Sequence, residues 1–213
     1  MKRWHNAAAA AVGGSLKTQG AAVFASPSFF GIIRVLRGGL HAKTNGEERL
    51  DAEWFMILYH ASNVEVKMPM LVESNRLLDF GPGFYTTTNR EQAKRFAESV
   101  VSKRGGAPMI NSYEFDEAAF SECLVKKFDS PSEAWLEFVA ANRSGKYFGE
   151  RYDLIIGPVA NDNVYATIGL YMRGFISKES AINELRVRKL YDQIVFATPK
   201  TFRYLKHICT EVL

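Results

Sequence analysis

From Trp54 onward the apolar residues come in short blocks, each closed by a turn or by a helix-capping residue. Blocks this short suit strands that cross a small core, and they fall below the length of an ordinary buried helix. Phe55-Met56-Ile57-Leu58-Tyr59-His60 predicts a buried strand. Gly83-Phe84-Tyr85-Thr86-Thr87, after the turn Gly81-Pro82-Gly83, predicts a second one, rich in aromatic and β-branched residues. Thr88 as N-cap, with Glu91 three residues on, makes a capping box. Ala93, Phe96, Ala97, Val100 and Val101 then form one apolar helical face, stopped by Gly105-Gly106. Residues 109–115 and 122–128 predict further strands. Ser130, Pro131 and Glu133 open a helix with Trp135, Phe138 and Val139 inward. Residues 153–159 predict a strand running into a turn. Ser177 caps a helix with Ile182 and Leu185 inward, residues 191–196 predict a last strand, and Thr198-Pro199 opens a C-terminal helix with Phe202, Leu205 and Ile208 inward. Strands and helices alternate without a regular βαβ repeat, which predicts an α+β domain over residues 51–213.

Residues 1–50 read differently. They are rich in alanine and glycine, show no sustained period, and carry seven Lys/Arg against two Asp/Glu. The rest of the chain is nearly neutral, so the net charge of +4 belongs to this stretch. The expectation is a poorly ordered basic N-terminal extension. It is a candidate for weak contact with nucleic acid, while the domain itself gives no basic face for such a role. No apolar run approaches the ~20 residues that a membrane span requires, so no membrane partner is expected. Cys123 and Cys209 make no disulfide framework, and the four histidines are scattered, so no metal is expected and the setting reads as cytoplasmic.

Four constellations could carry chemistry. Tyr59-His60-Ala61-Ser62 at a strand end could present an imidazole to a ligand hydroxyl or phosphate; alone, a satisfied core histidine is the simpler reading. Gly83 and Tyr85 lead into a helix carrying Phe96. Glycine lets a ligand approach the backbone, and the two aromatics could enclose a planar ring, although Phe96 on the apolar face also reads as core. Asn161 and Asp162 follow a buried strand that ends in Gly157-Pro158 and could rim a site or simply form a turn. Asp192 and Gln193 begin the strand Ile194-Val195-Phe196 and point to opposite faces, so that one could reach a pocket, while a strand edge in water is the simpler reading.

In this order the motifs resemble the ADP-ribosyltransferase superfamily, on its diphtheria-toxin and poly(ADP-ribose) polymerase side. Tyr59-His60-Ala61-Ser62 is similar to that side's Tyr-His-Gly-Thr/Ser, Gly83-Phe84-Tyr85 to its Gly-Phe-Tyr, Phe96 to its second tyrosine, and residues 192–196 to its Glu-x-Ile-Val-Tyr strand. Residues 55–206 resemble more closely a bacterial domain family of poorly defined function assigned to that superfamily, whose members are often encoded beside small antitoxin-like proteins. That likeness includes residues 79–85, 135–143 and 156–162. The resemblance implies a split β-sandwich with flanking helices and NAD as substrate in a cleft between two small sheets. His60 would bond the adenosine ribose, Tyr85 and Phe96 would stack on nicotinamide, and Ser62, Gly83, Asn161 and Asp162 would complete the NAD-binding set. A carboxylate would stabilise the developing charge on the ribose. The family's glutamate is replaced: its place falls on Asp192, or with a one-residue shift on Gln193, with Asp153 or Asp162 as other carboxylate sources. The implied activity is transfer of ADP-ribose from NAD to an unidentified acceptor macromolecule, or NAD hydrolysis, by a toxin or effector with an antitoxin-like partner. The alternative is a catalytically inactive nucleotide- or partner-binding module of the same fold.

Overall fold

The computed structural model describes residues 34–41, 49–72, 77–159, 162–186 and 190–213, with side chains from Phe55 onward except at residues 162 and 163. Two four-stranded sheets organise it. Sheet A contains β1 (Arg34–His41), β2 (Arg49–Ser62), β4 (Met109–Asp116) and β8 (Leu205–Val212), in that spatial order and wholly antiparallel. Sheet B has the order β3 (Phe84–Thr86), β7 (Asp192–Phe196), β6 (Leu154–Pro158) and β5 (Val125–Lys127); its β5–β6 pair is parallel. The chain is thus α+β with two sheets and flanking helices. The expected domain boundary at residue 50 falls inside β2, and β1 comes from the stretch expected to precede the domain. Residues 1–33 lie outside the described residues.

Alternation along the strands builds two cores. Met56, Leu58, Tyr113 and Phe115 of sheet A meet Phe84, Leu154, Ile156, Ile194 and Phe196 of sheet B, forming the layer between the sheets. The opposite face of sheet B, with Ile155 and Val195, packs against α3 (Glu133–Arg143), α4 (Asp162–Met172) and α5 (Lys178–Arg186). Strands β6 and β7 are therefore covered on both faces. That is why Leu154-Ile155-Ile156 and Ile194-Val195-Phe196 are continuous apolar runs. Helix α1 (Arg90–Arg104) lies against β2 and β4. Trp135, fully buried, ties α3 to the end of β6 by donating its indole N–H to the Pro158 carbonyl at 3.2 Å.

Several local expectations are corrected. The N-cap of α1 is Asn89, whose side chain accepts from the Gln92 amide, and Thr88 is engaged elsewhere. Ser132 rather than Ser130 caps α3. The stretch 122–128 ends the short helix α2 (Ala119–Glu122) and then forms β5. The C-terminal helix is a single 3-10 segment, Pro199–Tyr204, followed by β8. Ile208, expected inward, is 45% exposed at a bulge in β8, where the pairing steps from Tyr113–His207 to Ser112–Cys209.

Among the described residues the two sheets are tied by backbone hydrogen bonds at one residue pair. Tyr59 N–H donates to Thr87 O at 2.9 Å and Thr87 N–H to Tyr59 O at 3.0 Å. On either side of this bridge β2 and β3 part, each into its own sheet. His60, Tyr85 and Thr88 lie within a few positions of that bridge.

Candidate functional site

His60 is the residue after the bridge on β2. Period-two alternation puts it on the inner face with Met56 and Leu58. Its ring stacks on Phe84 with centroids 4.2 Å apart and planes 27° apart. Nδ1 lies 2.8 Å from the Tyr85 carbonyl oxygen. A carbonyl can only accept, so Nδ1 carries the proton and Nε2 is left with a lone pair and no protein partner among the described residues. Burial disfavours the charged ring and pulls its pKa down to about 4, against the opposing pull of the Tyr85 carbonyl. The imidazole is therefore neutral at physiological pH, with an acceptor nitrogen of fixed tautomer.

Ser62 ends β2, buried, and accepts a hydrogen bond from the Val64 amide at 3.2 Å, which turns the chain. Asn111, the β4 partner of His60, is fully buried. Its Oδ1 accepts from Val66 N at 2.8 Å and from Thr210 Oγ1 at 2.8 Å, and its Nδ2 donates to Val64 O at 3.2 Å. Residues 63–66 are thereby fixed against the inner face of sheet A. Sequence reasoning missed Asn111, although a polar residue at an inward position of an apolar strand was a usable signal.

Tyr85 meets His60 through its backbone alone. Its ring lies on the other face of β3 and packs against the helix-side core. The hydroxyl donates to Gly81 O at 2.6 Å and accepts from Phe80 N at 3.2 Å. Burial raises its pKa far above the usual value. Strand β3 is an edge strand of sheet B, with Phe84 in the layer between the sheets and Tyr85 on the helix side. Gly81, at φ 77°, takes a conformation that favours glycine and shapes the loop that holds the Tyr85 hydroxyl. Gly83 has a packing role: a Cβ there would stand 2.4 Å from Val195 Cγ1 and 3.1 Å from the Phe196 carbonyl, so its missing side chain makes room for β7.

Phe96 is also corrected. Ala93 and Ala97 form the buried face of α1, while Phe96 is 56% exposed. Its ring is not a core residue and is open to a ligand or partner.

Asp192 and Gln193 diverge as alternation requires, and neither sits at an edge in water: both are buried. Asp192 lies on the inner side of β7 with Ile194 and Phe196. Its carboxylate accepts from Thr88 Oγ1 at 2.8 Å, from Thr88 N at 3.2 Å and, at 3.5 Å, from Thr87 Oγ1. Burial raises its pKa and these hydrogen bonds pull the other way. Gln193 turns to the helix side, where its Nε2 makes a long 3.4 Å contact to the Pro158 carbonyl. His60 and Asp192 thus both face the layer between the sheets, while Tyr85 and Gln193 lie on the other face of sheet B. Asn161 lies outside the described residues, and Asp162 is the first residue of α4. Asp153 is no alternative carboxylate. It stands beside the opposite end of β6, bonded to Leu124 N, Thr198 Oγ1 and Lys200 Nζ, and serves to join three chain segments.

A second polar group went unread in the sequence. Asp79, buried, pairs with Arg143 Nη1 at 3.1 Å, and the Arg143 guanidinium lies over the Tyr165 ring at 4.0 Å. It anchors the loop before β3 to the end of α3. Among the described residues no cluster of three or more His, Cys, Asp or Glu is placed to hold a metal, and no helix is long and apolar enough to cross a membrane.

Two four-stranded sheets joined at a bridge, with a neutral histidine and a buried aspartate near it, make an α+β domain with flanking helices. Residues 56–207 match the model of a family described as a protein of unknown function, DUF3990, and the chain belongs to that family. Comparison with curated proteins and with solved structures finds no match.

Proposed function

We propose that this chain is an ADP-ribosyltransferase-like protein that takes NAD at the split between the sheets and moves ADP-ribose to an acceptor. The observation that carries the reading is His60: a neutral ring, locked by the Tyr85 carbonyl in the tautomer whose Nε2 accepts. Such a nitrogen accepts a hydrogen bond from a ribose hydroxyl. The exposed Phe96 ring offers an aromatic face on which a planar nicotinamide can stack.

NAD supplies a glycosidic bond whose cleavage releases neutral nicotinamide and leaves the ribose carbon open to an acceptor nucleophile. His60 Nε2 holds a ribose hydroxyl in place. The Asp192 carboxylate, oriented by Thr88, supplies negative charge on the inner side of the split in place of the longer glutamate. The proposal includes a cytoplasmic setting, an antitoxin-like partner and an acceptor macromolecule that residues 1–50 help to engage. The test is incubation of the full chain with labelled NAD and bacterial lysate, following free nicotinamide and label transfer, with His60→Ala and Tyr85→Ala alongside. Transfer that both substitutions abolish, in variants that keep the wild-type circular dichroism, is the expected result. Normal turnover in both variants refutes the site.

One observation favours a second reading, a nucleotide-binding module without chemistry: both Asp192 carboxylate oxygens are engaged by threonines. That reading predicts saturable NAD binding with no nicotinamide release, and turnover dependent on Asp192 removes it.

A further inference from the structure

Asp192 is 6% exposed, so its carboxylate does not itself present to the split. Its hydrogen-bond partner Thr88 is a partly exposed residue one position beyond the Tyr59–Thr87 bridge. Thr88 Oγ1 donates its single proton to Asp192 Oδ1 at 2.8 Å, and the Thr88 amide donates to Oδ2 at 3.2 Å. The residue is therefore held at two points. With its proton given to a carboxylate, the hydroxyl oxygen keeps two lone pairs, polarised by the charge behind them. No other partner of Thr88 Oγ1 exists among the described residues. Thr87 does not share this position, because its hydroxyl also faces Gln92 Oε1 at 3.0 Å and accepts from the Asn89 amide at 3.0 Å.

We infer that the Thr88 hydroxyl, backed by Asp192, is the ligand-contacting acceptor that receives a hydrogen bond from a ribose hydroxyl. The inference rests on the reading of the split as an NAD site. In this arrangement Asp192 is a positioning residue that acts through Thr88. The pair spans a longer reach than aspartate alone, which answers the methylene lost relative to glutamate. It also makes the chain selective for a ribose over a deoxyribose.

The experiment is titration calorimetry of the full chain with NAD and with its two analogues that each lack one hydroxyl of the nicotinamide ribose. Wild type, Thr88→Val and Thr88→Ser are compared. The expected result is that wild type binds NAD about tenfold tighter than one of the analogues, as one hydrogen bond to a charge-polarised oxygen provides. Thr88→Val loses that preference and Thr88→Ser keeps it. If Thr88→Val fails to fold by circular dichroism, Thr88→Ala, which leaves space for water against Asp192, carries the same comparison. NAD binding with the preference intact in the variant lacking the hydroxyl overturns the role of Thr88 and leaves the NAD site standing. No NAD binding by wild type overturns both.

Discussion

His60 makes the stability of this protein sensitive to mild acid, and the size of the effect follows from its surroundings. Burial against Phe84 holds the folded-state pKa at about 4, while the unfolded chain restores a value near 6.5. Between those values the unfolded state binds the proton that the folded state refuses. The contribution is thus fully present above the unfolded pKa and is lost as pH falls through the folded one. The complete loss amounts to about 3 kcal/mol, and acidification from pH 7 to pH 5 removes about 2 kcal/mol of it. The perturbation is His60→Gln, which keeps a polar side chain and cannot titrate. Urea unfolding is followed by tryptophan fluorescence at pH 7 and pH 5 for both proteins. Carboxylates titrate in both, so the difference between the two pH dependences isolates the ring. The wild type is expected to lose about 2 kcal/mol more than the variant between the two pH values. Equal losses would mean that the imidazole is not held neutral, and the tautomer assigned to it would fall with that result.

Gly83→Ala should cost about 1–3 kcal/mol, seen as a lower urea midpoint, because its Cβ would stand 2.4 Å from Val195 Cγ1 and push β3 off β7. Arg143→Met should destabilise by about 2 kcal/mol in the same assay: it takes the guanidinium from the buried Asp79, and the partial solvation of Arg143 keeps the loss below that of a fully enclosed pair. Asn111→Ala should leave global stability less affected than local order, with tryptic cleavage after the exposed Lys67 accelerated, since Val64 O and Val66 N lose their common partner. Unchanged cleavage would mean that the 63–66 segment is held by other contacts.

Much of the architecture was legible where burial is simple. Strands β6 and β7, enclosed on both faces, announced themselves as unbroken apolar runs, and Trp135, Phe138 and Val139 marked the inner face of α3. Helix starts were legible to within a residue or two, since Thr88 and Asn89 are both capping types. The choice between them was decided by Asp192, which lies 104 residues further along the chain and takes the Thr88 hydroxyl for itself. Phe96 misled for a related reason. Small alanines do the packing of α1 against sheet A, and the larger ring sits at the margin of that face. The C-terminal strand was hidden by its own irregularity. The bulge at Ile208 interrupts the two-residue period, so that Leu205 and Ile208 fall at helical spacing. His60 was singled out from its strand end, and the structure shows its ring fixed there by Tyr85 O and Phe84. Asp192 and Gln193 could not be ranked until tertiary packing assigned the two faces of β7, which no local pattern encodes.

The bulge in β8 has a consequence for how the molecule keeps to itself. β8 is an outer strand of sheet A, and a long, flat outer strand is a template on which another chain can add itself. The extra residue at Ile208 bends the strand midway and breaks the regular spacing of its outward amides and carbonyls. An incoming strand could match one half of β8 or the other but not both. The irregularity that conceals the strand from pattern reading thereby opposes the addition of another strand along this edge.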